Sequence, residues 1–424
     1  MSRRQTAYSA AMPLLTDPLT LPCGAVLRNR IAKSAMSEDL AERGHLPGSA
    51  LNALYARWAR SGAGLLISGN VMVDARHLGE PNNIVFEPRT SPVSASPVSD
   101  ALRAWAAAGQ AEGTHFWPQI NHPGRQTPLS RVPVAPSAIP LKLPGKLFAT
   151  PRALESSAIE DIVGRYGRAA GMSKEAGFSG VQIHGAHGYL VSQFLSPLSN
   201  QRDDAWGGDA ERRRRFLVEI VRAMRAEVGP NFPIGVKLNS ADFQRGGFTE
   251  EESMDVIGVL EAEGVDLLEI SGGTYEKPAV TGAIRELRAS TIAREAYFLE
   301  YARTVRQKTN LPLLLTGGFR TRSGMVDALA GQRGCVDMIG LARPMALEPD
   351  LPRGLLDGSV LESRVQPKTT GIRSLDGLIE VSWYTYQLRR IAHGQAPDPG
   401  VWPWTVLLRM AWQMLKQRRR PDAR

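Results

Sequence analysis

Eight short apolar runs punctuate this chain, most of them followed by a longer amphipathic stretch. IAKSAM (31–36), GLLISG (64–69), HFWPQIN (115–121) and GVQIH (180–184) are the first four. FPIGVKLN (232–239), VDLLEIS (265–271), LPLLLTG (311–317) and VDMIGLA (336–342) follow. Runs this apolar read as strands buried on both faces. Between them, ERRRRFLVEIVRAMRAEVG sets Leu217, Ile220, Val221, Met224 and Val228 at helical spacing. TIAREAYFLEYARTVRQKT does the same with Phe298, Tyr301 and Val305. Strands that alternate with helices argue a parallel sheet. Eight of them suit an α/β fold closed as a (β/α)8 TIM barrel with insertions. An open doubly wound sheet is the competing architecture. It would carry a GxGxxG turn after a strand, and the sequence has none, so no Rossmann module holds a nicotinamide cofactor here.

Two regions break the alternation. Residues 127–155 are proline-rich and lie between the third and fourth strands, where an active-site loop belongs on a barrel's C-terminal face. The tail after residue 370 holds two helical patterns, LIEVSWYTYQLRRIAHG and VWPWTVLLRMAWQMLKQRRR. The expected division is a barrel over 13–369 and a helical basic extension over 370–424. The second tail pattern joins Trp404, Leu408, Met410, Trp412 and Leu415 to a basic end. It could lie on an anionic membrane surface, or pack on the barrel or a partner subunit, which leaves a homo-oligomer open.

Composition narrows the function classes. The two cysteines, Cys23 and Cys335, cannot build a disulfide framework or a four-thiolate iron–sulfur cluster. The opening MSRRQTAYSAAMPLL lacks the apolar core of a secretory signal, and no apolar run reaches membrane-spanning length. A cytoplasmic location is the expectation. The net charge of +9 invites a nucleic-acid reading. Much of that excess sits in ERRRRF, inside a helical pattern, and KQRRRPDAR, in the tail, with no accompanying recognition motif. No nucleic-acid partner is expected.

On a barrel, chemistry gathers where strands end. Strand one ends at Met36-Ser37, and strand three at Gln119, Asn121 and His122. Strand four ends in His184, with His187 and Tyr189 beyond. Strand six leads into Ser271-Gly272-Gly273, strand seven into Thr316-Gly317-Gly318, and strand eight into Ala342-Arg343. The loops after strands seven and eight are this fold's common phosphate site. Gly317 and Gly318 offer unobstructed N–H groups, and Arg343 can grip two phosphate oxygens. Lys237 projects from a strand that should be buried, so it needs an anionic partner. Glu269 on a neighbouring strand would serve, as would a ligand that becomes anionic. His184 and His187 have no HExxH context. They could hold a metal as in a TIM-barrel hydrolase, be structural, or clamp a substrate oxygen with Tyr189 as proton source.

These residues bring a family into view. The segment IHGAHGYLVSQFLSPLSNQRDDAWGGDAERRRRF (183–216) resembles the signature of the Old Yellow Enzyme family of FMN-dependent ene-reductases. LRNRIAKSAM (27–36), GAGLLIS (62–68), PQINHPGRQ (118–126), PVAPSAI (133–139) and the IGLAR end of strand eight match in order, covering roughly residues 13 to 355. The resemblance implies FMN as cofactor and NADH or NADPH as electron donor, in a ping-pong cycle. Gln119 would meet the flavin pyrimidine edge, Ser37 the C4 carbonyl, and Lys237 the N1–C2 edge. Ala35 and Met36 would line the ring, with Gly69, Gly272, Gly317 and Ala342 around it, while Gly318 and Arg343 take the phosphate. His184 and His187 would hold the carbonyl oxygen of an α,β-unsaturated, enone-like substrate, and Tyr189 would protonate it. The family more often has arginine at Lys237, and threonine or cysteine at Ser37. A flavin-binding protein without catalysis is the non-enzyme alternative.

Overall fold

Each of the eight apolar runs is a strand, and the strands close on themselves. The computed structural model describes residues 14–87, 99–143, 148–272, 298–330 and 335–409. The barrel strands are β1 (Ile31–Lys33), β2 (Leu65–Met72), β3 (His115–Asn121) and β4 (Val181–Gly185). They continue as β5 (Ile234–Asn239), β6 (Leu267–Ser271), β7 (Leu313–Thr316) and β8 (Met338–Leu341). Every neighbour pair is parallel, and β8–β1 and β1–β2 pairing (Gly340 with Ala32, Ala32 with Leu65) completes the ring.

Helices cover the outside, among them α1 (Ser49–Ala59), α2 (Asp100–Gly109), α3 (Ser156–Ala176), α4 (Leu190–Leu195), α5 (Ala210–Val228) and α6 (Glu250–Ala262). The apolar stripe expected on α5 is the buried one: Leu217, Ile220, Val221, Met224 and Val228 face the strands. The basic block at its start is spent locally. Arg212 pairs with the N-cap Asp209 at 2.9 Å, Arg213 with Glu252, and Arg215 lies over Trp206. The helix expected over 291–309 is α7 (Leu299–Arg306); 291–297 and Gly273 lie outside the described residues.

Side chains alternate along a strand, so the barrel interior stacks in layers. The lowest is apolar: Ala32, Leu65, Ile67, Trp117, Leu267, Leu314 and Met338 form one cluster. The short N-terminal hairpin, Leu19–Thr20 with Val26–Leu27, plugs it with Leu19, Leu21 and Leu27. Trp117 fills the gap opened by Gly180 and Gly235, whose missing Cβ atoms would press on its ring. Two residues further up six of the strands, the interior turns polar: Ser34, Gln119, Gln182, Lys237, Glu269 and Thr316. Gly340 belongs to this layer for a steric reason. A Cβ there would overlap both Ser34 Oγ and Thr316 Oγ1, which hydrogen-bond across it at 2.6 Å. Gly340→Ala is expected to cost about 1–3 kcal/mol through overpacking, read as a lower denaturation midpoint of the apoprotein. An unchanged midpoint would mean that the two hydroxyls part freely.

The extension is helical at α11 (Arg373–Ala392), and residues 403–409 are helical again. Two shorter helices precede it: α9 (Arg343–Leu347) and α10 (Leu351–Asp357), following α8 (Arg322–Ala330). Helix α11 packs against α1 and α9, so this part of the tail rests on the barrel. No helix among the described residues is long and apolar enough to cross a membrane, and 410–424 lie outside them.

Candidate active site

The strand ends bring the expected residues to one mouth. His184 sits at the end of β4 and is buried. The Ala186 N–H donates to its Nδ1 at 3.3 Å. A nitrogen that accepts a hydrogen bond carries no proton, so His184 presents Nε2–H as a donor. His187 follows in a backbone conformation that a side chain rarely adopts, with φ at 60°. Such strain costs of order 1–3 kcal/mol and persists only where the surroundings enforce it. Here they do. The His187 N–H donates to Asn239 Oδ1 at 3.1 Å, Gln126 donates to its carbonyl at 2.9 Å, and its Nε2 meets Ser271 Oγ at 2.8 Å.

The two imidazoles stand edge to face, 5.1 Å apart, and the Tyr189 ring lies 4.8 Å from His184. Asn70 of β2 donates to the Tyr189 hydroxyl at 3.3 Å. Burial pushes both histidines well below their ordinary pKa, and the Lys237 charge adds to this; for His184 the neighbouring imidazole does as well. Both are therefore neutral near pH 7 and act as uncharged hydrogen-bond donors or acceptors.

The partner sought by Lys237 is Glu269, at 3.1 Å and fully buried. The two are register partners on adjacent strands. Gln119 and Gln182 are likewise register partners, joined at 2.6 Å. Just past the end of β7, Gly317 and Gly318 both have positive φ (129° and 91°) that glycine alone adopts readily. Arg343 donates to Glu380 of α11 at 2.8 Å, so the extension reaches this corner of the mouth. The extension also ties Arg389 to Asp39 at 2.7 Å. Gly69 and Gly272 serve close approach: a Cβ on Gly69 would collide with the Met36 carbonyl and Glu38, and one on Gly272 with Phe298 and Phe243. Ala35 and Met36 are half-buried just past β1, and Ala342 caps α9.

Ser37 donates to Glu80, which no motif in the chain singles out. Burial pushes the Glu80 carboxyl up to about 7, helped by the Asp39 and Glu38 charges and opposed by the Ser37 hydrogen bond. The folded chain thus keeps a proton that the unfolded chain releases from about pH 4.5 upward. Apoprotein stability is expected to fall as pH rises from about 4.5 to about 7, by roughly 2 kcal/mol after allowing for the half-buried position. Glu80→Gln should flatten that slope in denaturation curves taken across the window.

One trio of ligand-type side chains among the described residues lies within 4.8 Å: Asp74, His77 and His122. It does not include His184 or His187. Arg76 already grips Asp74 through Nε and Nη2 at 2.7–3.1 Å. The Gly124 N–H donates to His122 Nδ1, which places the ring proton on Nε2. Both features oppose a cation.

Residues 15–361 match the family model described as the NADH:flavin oxidoreductase / NADH oxidase family. The chain belongs to the Old Yellow Enzyme family. It is an NAD(P)H-dependent FMN oxidoreductase. It is 39% identical over 361 residues to the NADH-dependent flavin oxidoreductase iliE of Hypocrea jecorina, covering 80% of this chain and 88% of that one. Among solved structures, the old yellow enzyme homologue from Zymomonas mobilis superposes with a TM-score of 0.67 at 26% identity, covering 83% of this chain and 95% of that one. Morphinone reductase in complex with tetrahydroNAD gives 0.67 at 25%, covering 83% and 93%.

The residues present suit FMN. Paired positive-φ glycines offer N–H groups to a phosphate. Asn121, fully buried at the end of β3, has neither amide atom partnered among the described residues, and such orphans call for a ligand or water. Gln182, Asn70, Asn239 and Glu80, which no motif marks in the sequence, hydrogen-bond to Gln119, Tyr189, His187 and Ser37 respectively.

Proposed function

We propose that this enzyme reduces the activated C=C bond of α,β-unsaturated carbonyl compounds, with His184 and His187 holding the carbonyl oxygen and Tyr189 delivering the proton. The observation that carries this reading is the rigid, neutral histidine pair with a tyrosine hydroxyl beside it. Bound FMN would supply a hydride taken from NAD(P)H.

The protein's own part is positional and electrostatic. His184 offers Nε2–H. When Ser271 donates to His187 Nε2, the other ring nitrogen carries a proton as well. Two neutral donors aimed at one oxygen stabilise the charge that grows on it during reduction. They stay in place because Asn239, Gln126, Ser271 and the Ala186 N–H hold them. The Tyr189 hydroxyl accepts from Asn70 beside His184, and its phenolic proton is the one the reaction would take. Gln119, Lys237, Ala35, Met36, Ser37, Gly69, Gly272, Gly317, Gly318, Ala342 and Arg343 would surround the cofactor, with Lys237 toward the flavin edge that becomes negative on reduction.

The test is to reduce the yellow holoenzyme anaerobically with NADH or NADPH and then add a panel of acceptors. Rapid return of flavin absorbance with 2-cyclohexenone-type enones, and slow return with saturated ketones, is the expected result. Equal rates with both would overturn the reading, as would a flavin that never reduces.

A further inference from the structure

The polar layer beneath the histidines is one connected chain of hydrogen bonds with a direction. Glu269 is fully buried on β6. It accepts from three donors: Lys237 Nζ at 3.1 Å, Thr316 Oγ1 at 2.7 Å and Gln182 Nε2 at 2.7 Å. An ammonium group gives protons only, and the carboxylate it meets can only accept. Each further partner must conform. Gln182 has to turn its NH2 to Glu269 and its carbonyl to β3. There it accepts from Gln119 Nε2 at 2.6 Å. Gln119 has spent a donor on that bond, so its carbonyl is the free end of the amide. On the other branch Thr316 has used its proton on Glu269, which makes Ser34 the donor in the 2.6 Å contact over Gly340.

We propose that Glu269 is a positioning residue with two outputs: it partly neutralises Lys237, and through Gln182 it locks the Gln119 amide so that an acceptor faces the bound ring. The inference rests on the flavin placement given above. An acceptor at Gln119 selects a ring edge that carries an N–H, which the imide edge of FMN has. A carboxylate at Lys237 lowers the net positive charge facing that ring, and so weakens the preference for the negatively charged reduced form. The buried ion pair thus sets a compromise. Glu269 gives the buried lysine a counter-charge inside the barrel, and it restrains how strongly the lysine favours reduction.

Two variants separate the outputs. Apoprotein is titrated anaerobically with oxidised FMN, reduced FMN and 3-methyl-FMN, which lacks the N–H. Glu269→Gln is expected to raise the ratio of oxidised to reduced dissociation constants about tenfold, equal to about 30 mV for a two-electron couple. A ratio that falls or stays put overturns the charge role. Gln182→Met keeps Glu269 beside Lys237 but cuts the relay. It should leave that ratio within about threefold of wild type and reduce the preference for FMN over 3-methyl-FMN by about fivefold or more. An undiminished preference overturns the relay. Wild-type apoprotein that binds no FMN would sink the flavin placement itself, whereas wild type that binds FMN with variants that behave identically sinks only this inference.

Discussion

Replacing Tyr189 with phenylalanine is expected to slow reoxidation of the NAD(P)H-reduced enzyme by an enone about 100-fold or more. Reduction by the nicotinamide should stay within about threefold of wild type. The asymmetry is the informative part. Phenylalanine keeps the ring that stands 4.8 Å from His184 and removes only the oxygen held by Asn70. Packing in the mouth is therefore preserved, while the proton and the Asn70 hydrogen bond are lost. Stopped-flow traces of the two half-reactions separate the cases. Equal losses in both would make the hydroxyl a structural group and leave the proton to another donor.

The second large effect belongs to the histidine pair. His184→Ala and His187→Ala are each expected to lower the enone rate by on the order of 100- to 1000-fold, the usual consequence of removing one donor from an oxyanion site. The double variant should lose less than the product of the two, because both rings act on one oxygen. Binding of a phenol, which places a negative oxygen where the enolate would form, should weaken about tenfold or more. Unchanged phenol affinity in the double variant would contradict the clamp. His187 carries an additional expectation. Its left-handed backbone is imposed by Asn239 and Gln126, so His187→Gly should remove the donor with less loss of stability than His187→Ala.

Much of this was legible in the linear chain. Six of the eight strands lie within an apolar run, and β2 and β4 overrun theirs to Met72 and Gly185, because a strand buried on both faces cannot hide its composition. The α5 stripe is the helical spacing of five apolar residues. Strand ends marked the histidines, Tyr189, the glycine turn and Arg343, since parallel strands of a closed barrel deliver their C-terminal ends to one face. Lys237 announced its need for an anion, and Glu269 was the partner a neighbouring strand could offer. Gln182 was less visible. A glutamine flanked by valine and isoleucine carries no motif, and its role exists only because β3–β4 register sets it beside Gln119 and the β5–β6 pair sets Glu269 within reach. Glu80 was silent for the same reason, since a turn after β2 brings it to Ser37. The tail offered two helical patterns and a choice of surfaces. Contacts of α11 with α1 and α9, and of Glu380 with Arg343, place the first of these patterns on the barrel.

The sequence by itself determined the strand count, the parallel order, the layer of polar residues at the strand ends and the family. These depend on local composition and on spacings a few residues long. Only the tertiary structure decided which polar groups share a proton network, which way each amide turns, and that the backbone at His187 is held in an unfavourable conformation. Such properties arise from register between strands far apart in the chain. There, a one-residue shift would turn every side chain from the barrel interior to the helices outside.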